Sequence, residues 1–172
     1  MVTGHVTTRV GRARQLAATV VDPELPMLTL ADLGVLRDVE LSEDGAVVVS
    51  ITPTYSGCPA IATMRDDLVR RLQQEGFEDV RVKVALHPAW TTDWITPNGK
   101  AALVQAGISP PGPAPRREGP VTLQLASPRR ALRCPRCAST DVALTSEYGS
   151  TACKAMYRCL ACLEPFDHVK EI

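Results

Sequence analysis

Ala46-Val-Val-Val-Ser-Ile-Thr-Pro-Thr-Tyr-Ser-Gly-Cys-Pro59 decides how the first part of this chain is read. Residues 46–52 are dominated by β-branched side chains and predict a strand. Pro53 and Gly57 break that run into a loop. Cys58-Pro59 then opens a predicted helix, because proline suits a first-turn position whose N–H has no helical partner. Behind it Ile61, Met64, Leu68, Val69 and Leu72 fall on one helical stripe, and Gly76 is the expected stop.

Working outward, Asp44-Gly45 is a tight-turn signal that joins a strand over 35–41 to the strand over 46–52 as a hairpin. Downstream, Val80, Val82, Val84 and Leu86 alternate with Arg81 and Lys83, the pattern of a strand half buried on one face. Upstream, Val10, Ala13, Leu16, Ala17 and Val20 recur at helical spacing and predict a helix over 8–21. Asp22-Pro23 should end it, since the residue before proline is pushed out of the α region. Pro88-Ala-Trp-Thr-Thr-Asp-Trp-Ile-Thr-Pro97 holds both tryptophans, and a last helix over 98–105 ends at Gly107. The order α-β-β-α-β-α predicts an α+β domain over 8–108, a small mixed sheet with packed helices.

Composition sets the limits. The chain has 172 residues, enough for one domain plus a small satellite. Hydrophobic residues make up 45%, but aromatics only 4%, so Val, Leu, Ile and Ala must fill the core. Lys plus Arg and Asp plus Glu number 19 each, a balance that argues against a nucleic-acid binder and gives no reason for an anionic membrane surface as partner. No stretch approaches the ~18–20 apolar residues that span a bilayer, and residues 1–14 are too polar for a secretory leader. A cytoplasmic location is therefore expected, with thiols kept reduced.

Pro110, Pro111, Pro113, Pro115 and Pro120 mark residues 109–128 as a semi-rigid linker. Beyond it, residues 129–172 are too few to hold together by a core alone. They carry five of the six cysteines. Cys134-Pro-Arg-Cys137 and Cys159-Leu-Ala-Cys162 are two CxxC knuckles, separated by 138–158, a spacer of 21 residues. In a reduced compartment such pairs read as a metal site before they read as disulfides. Four thiolates suit tetrahedral zinc, and binding would supply the missing folding energy; iron or an iron–sulfur cluster accepts the same ligands. Cys153 leaves the ligand set open, either as a small buried hydrophobe or as an alternative ligand.

Cys58 stands apart. A predicted helix N-terminus favours its thiolate, and Gly57 leaves the sulfur accessible. It is either a ligand or nucleophile, or a half-buried cysteine with no role. Asp22 and Glu24, in a proline-stiffened loop, either help to hold iron beside Cys58 or serve as turn formers. Trp90 and Trp94 are core residues or a docking hot spot. His87 ends the third strand, His5 is expected in the N-terminal tail, and His168 lies outside the knuckles, so no histidine is an evident base for Cys58. Glu-x-x-His pairs and a GxGxxG fingerprint are absent from the sequence.

Asp22-Pro-Glu-Leu-Pro26, Asp32-Leu-Gly34 and Thr52-Pro-Thr-Tyr-Ser-Gly-Cys-Pro59 resemble the iron–sulfur-assembly family that includes SufT-like maturation factors. Adding the 88–97 segment, Cys134-Pro-Arg-Cys137, Gly149-Ser-Thr-Ala-Cys-Lys154, Tyr157-Arg-Cys159 and Glu164-Pro-Phe-Asp167 narrows the resemblance to the PaaD components of phenylacetyl-CoA epoxidase systems, from about residue 9 to 172. The resemblance implies a place in aerobic phenylacetate catabolism, in which a di-iron oxygenase subunit epoxidises the aromatic ring and a reductase with flavin and a [2Fe–2S] centre supplies electrons. It implies an accessory role for this chain: maturation of an iron–sulfur or iron centre in the reductase or oxygenase subunits, its partners. Cys58 carries over as a transient cluster or iron ligand, Asp22 and Glu24 as the acidic pair near it, and Cys134, Cys137, Cys159 and Cys162 as a second site holding zinc or iron. One cysteine per first domain also allows a homodimer that shares a cluster. The competing readings are a non-catalytic scaffold component with a structural zinc site, and a zinc-ribbon nucleic-acid module resting on Arg129, Arg130, Arg133 and Arg136.

Overall fold

The computed structural model describes residues 3–114 and 132–172. The linker expected over 109–128 lies outside the described residues from 115 onward, as do Arg129 and Arg130. The chain divides into two compact units: one takes in Met1–Trp90 and Trp94–Gly99, the other Thr91–Asp93 and Lys100–Ile172.

In the first unit the elements follow the order α1 (Thr3–Ala17), β1 (Leu36–Leu41), β2 (Val47–Ile51), α2 (Ile61–Gln74) and β3 (Val80–Val84); α3 (Pro97–Gln105) starts here and continues into the second unit. The sheet order is β1-β2-β3, with β1 antiparallel and β3 parallel to β2. This is the mixed sheet expected. β2 is the centre strand, and Val47, Val48, Val49 and Ile51 are all buried, which is why its sequence reads as an apolar run without alternation. A parallel β2–β3 pair needs a crossover, and α2 supplies it. Met64, Leu68 and Leu72, at spacing four, form the buried stripe of α2. Its end is a Schellman motif: Gly76 N–H donates to Gln73 O at 3.0 Å and Phe77 N–H to Leu72 O at 3.2 Å, with Gly76 at φ +88.

Two helices have boundaries that differ from the sequence reading. Helix α1 runs Thr3–Ala17, taking in His5, and stops well before Pro23. The cause is β-pairing: Val21 bridges to Thr29, and Leu30 N–H donates to Val20 O at 2.8 Å. These contacts take two β-branched residues out of the helix. Helix α2 starts at Ile61 behind an Ala60 cap, so Cys58 and Pro59 lie in the turn before it.

The tryptophan segment packs on the Asp32-Leu33-Gly34 turn. Trp90 is 4% exposed and donates its Nε1–H to Leu33 O at 3.0 Å. The Arg37 guanidinium lies 3.5 Å over the Trp94 ring. Thr96 caps α3, accepting the Gly99 N–H at 3.0 Å, and its hydroxyl donates to Asp32 Oδ1 at 2.7 Å. Gly34 sits at φ +75, and a Cβ there would fall 2.6 Å from Trp94 Cβ and 2.8 Å from its carbonyl oxygen. Gly34→Ala combines left-handed strain with a backbone clash, so it should cost about 2–4 kcal/mol, more than a typical surface change. Chemical denaturation checks this; a midpoint equal to wild type would show that the turn yields freely.

The second unit is built on an antiparallel meander, β4 (Val142–Ser146), β5 (Lys154–Cys159) and β6 (Pro165–Val169), in the order β4-β5-β6. Its core is Leu132, Cys134, Ala155, Tyr157, Cys159 and Phe166, with Tyr157 and Phe166 stacked at 6.0 Å. Two of those six core members are cysteines of the knuckles. Earlier chain segments complete the unit: Ser109 N–H donates to Asp167 O at 2.8 Å, Val169 N–H to Ser109 O at 3.1 Å, and Thr92 N–H to Ile172 O at 3.1 Å.

Candidate functional site

The two knuckles are built alike. In the first, Cys134 N–H donates to Ser139 O at 2.9 Å; in the second, Cys159 N–H donates to Glu164 O at 2.9 Å. Each first cysteine thus bonds the carbonyl five residues on. The residue after each second cysteine is left-handed, Ala138 at φ 59 and Leu163 at φ 64. Non-glycine residues rarely take that conformation, so the repeat marks a turn that the surroundings impose. An ion pair between Arg136 and Glu164, 3.7 Å apart, spans from one knuckle to the other.

These turns bring Cys134, Cys137, Cys159 and Cys162 together with all four sulfurs within 4.8 Å of one another. Cys134 and Cys162 are 3.7 Å apart, and Cys137 and Cys159 are 3.5 Å apart. A tetrahedral zinc with Zn–S bonds of about 2.3 Å requires sulfurs about 3.8 Å apart, so the donor set fits that ion. Four like charges at this distance cannot coexist without a cation, and the thiols share protons unequally. The Cys162 N–H, 3.4 Å from the Cys159 sulfur, is the leading cause that lowers Cys159 to about 6. At Cys162 the Glu164 backbone has a lowering effect, but burial and the neighbouring sulfurs of Cys159, Cys137 and Cys134 push it up to about 12. The thiolates therefore favour a bound metal ion over an open site. Cys153 does not join them; its sulfur sits 3.1 Å from the Thr151 hydroxyl.

Cys58 is half buried in the turn before α2, its N–H donating to Tyr55 O at 3.2 Å and its carbonyl accepting from Ile61 N–H at 3.4 Å. Asp22 is 3% exposed, and its Oδ1 accepts the N–H groups of Glu24 at 2.9 Å and Leu25 at 2.7 Å. That is the Asx turn of the turn-forming alternative. Glu24 is half buried beside it. Among the described residues the knuckle cysteines are the one group of three or more metal-ligating side chains; Asp22, Glu24 and Cys58 do not assemble such a set within one chain. Asp22→Ala should cost about 1–2 kcal/mol by leaving two N–H groups unsatisfied, and Asp22→Asn, which keeps an oxygen, clearly less. Equal thermal shifts for the two variants would refute this role for the Asx turn.

Sequence reading alone gives no role to Asp32, whose carboxylate joins Thr29 at 2.9 Å to Thr96 at 2.7 Å. The spacing Thr29-x-x-Asp32 is the available signal; the partner 64 residues on is not readable.

Two family models match this chain. One, described as an iron-sulfur cluster assembly protein, covers residues 14–86; the other, described as the PaaD zinc beta ribbon domain, covers residues 118–170. The chain is 46% identical over 156 residues to an Escherichia coli (strain K12) protein provisionally named as the D component of 1,2-phenylacetyl-CoA epoxidase, covering 90% of this chain and 88% of that one. It is 34% identical over 85 residues to the Fe-S protein maturation auxiliary factor YitW of Bacillus subtilis (strain 168), covering 49% of this chain and 82% of the relative. A crystal structure of a domain of unknown function, DUF59, from Bacillus anthracis matches with a TM-score of 0.54 and 24% identity, over 59% of this chain and 96% of that one, and supports the fold. With the iron–sulfur-assembly match, the zinc-ribbon match and nearly full-length likeness in one polypeptide, this chain belongs to the PaaD family of phenylacetyl-CoA epoxidase components.

Proposed function

We propose that this protein is an accessory factor of a multicomponent phenylacetyl-CoA epoxidase in aerobic phenylacetate catabolism, and that it assembles or delivers an iron–sulfur or iron centre for the reductase or oxygenase. The observation that carries this reading is Cys58: a half-buried cysteine in the turn before α2, within the segment matched by the iron–sulfur-assembly model. Its own chain contributes no three-donor set around it among the described residues. A cluster needs four ligands, so a cluster at Cys58 draws the others from another molecule, a client or a second copy of this chain. A site of that kind suits cargo in transit. The knuckle site, by contrast, is closed by four thiolates with no open position, which favours a resident structural zinc. Both sites require reduced thiols, in keeping with a cytoplasmic location.

The test is metal and sulfide content, with an absorption spectrum, of anaerobically purified wild type and Cys58→Ala. Wild type should hold zinc plus iron and sulfide, and the variant zinc alone. About one zinc and nothing else in both, even after reconstitution, would overturn the cargo reading and leave a scaffold component with a structural zinc site.

A further inference from the structure

His168 lies on β6, fully buried, and takes no part in the knuckle site. A parallel bridge sets it beside Ser109, and its Nδ1 is 3.2 Å from the Ser109 carbonyl oxygen. A carbonyl only accepts, so Nδ1 carries a proton. On the other side of the ring, Nε2 is 3.3 Å from Glu171 Oε1, within ion-pair reach though off the line of a good hydrogen bond. The same carboxylate oxygen accepts the Gly112 N–H at 3.1 Å. Burial opposes ionisation of Glu171, but the adjacent His168 ring and the Gly112 N–H outweigh it and hold the carboxyl at about 2. Both ring nitrogens therefore face acceptors. A proton on Nε2 makes the Glu171 contact attractive; without it, two lone pairs oppose each other in a buried site. From β5 the ring meets Ala155, directly opposite, and the edge-on Tyr157 ring at 5.7 Å.

We propose that these contacts form a proton-dependent tie. With both nitrogens protonated, His168 holds the Ser109 carbonyl and the Glu171 carboxylate together; loss of the Nε2 proton releases Glu171 and loosens residues 110–112, while Ser109 keeps its backbone bonds to β6. The tie has a consequence for shape. Pro110, Pro111 and Pro113 form one wall of a cavity of about 600 Å³ that is also lined by Leu132, Cys134 and Pro135. Protonation of one buried ring thereby sets the wall that faces the first knuckle.

The experiment is NMR of zinc-loaded, full-length protein between pH 6 and 9, following the His168 ring nitrogens and the Ser109 and Gly112 amides. The amides should shift in step with the ring nitrogens, and Gly112 hydrogen exchange, corrected for its intrinsic pH dependence, should rise about tenfold once Nε2 has lost its proton. Glu171→Gln should abolish the response of the Gly112 amide to the state of the ring. A ring that titrates while both amides stay still would overturn the tie, and so would one protonated nitrogen throughout the range. An unchanged Gly112 response in Glu171→Gln would do the same. The wild-type comparison of ring and amides decides the matter even where that variant folds poorly.

Discussion

Cys134→Ser or Cys159→Ser should unfold the ribbon unit and abolish the metal binding proposed for it. Cys134 and Cys159 each belong both to the proposed four-sulfur site and to a small hydrophobic cluster of six buried residues among those described. A core of that size supplies few kcal/mol, whereas a structural zinc contributes apparent binding energies of about 10–16 kcal/mol at neutral pH. Loss of one ligand therefore exceeds what the rest of the unit can hold. The expected readouts are a zinc content near zero and loss of amide dispersion for residues 132–172. Cys153→Ser, outside the four-sulfur group, should keep full zinc and nearly wild-type stability. A Cys159→Ser protein that retained one zinc and its dispersion would show that three thiolates suffice, and the closed-site account would fail.

Cys58→Ala should leave folding within about 1 kcal/mol of wild type, because the side chain is only half buried and lies in a turn outside the strands and helices. Its effect belongs to function. Cells carrying the variant should lose growth on phenylacetate, with epoxidase activity reduced at least about tenfold and the iron or sulfide content of the client protein lowered. Added wild-type protein should restore that activity. Normal growth of the variant strain would remove Cys58 from the mechanism, whatever the ribbon does.

Much of the fold is legible because it rests on local rules. The Asp44-Gly45 hairpin, the stripe Met64-Leu68-Leu72 and the stop at Gly76 each depend on residues close in sequence, and each is present. The knuckle cysteines are legible for a similar reason: CxxC spacing prescribes two sulfurs per turn. Periodicity misplaces both ends of helix α1; at its C-terminal end Val20 fits the helical stripe, yet Val20 and Val21 pair with the 28–30 segment instead. Pro59 suits a first-turn place that the helix does not reach.

The sequence by itself determined the element order and mixed sheet of the first domain and the pairing of the knuckle cysteines, because periodicity, turn chemistry and ligand spacing act over a few residues; its longer motifs carried the resemblance to the family. Tertiary structure alone decided the rest. It joined Asp32 to Thr96, buried Trp90 against Leu33, excluded Cys153 from the knuckle site, and set His168 between Ser109 and Glu171. A buried polar group must find a partner wherever the chain brings one. Most of these partners lie dozens of residues away, beyond the range over which sequence patterns carry information.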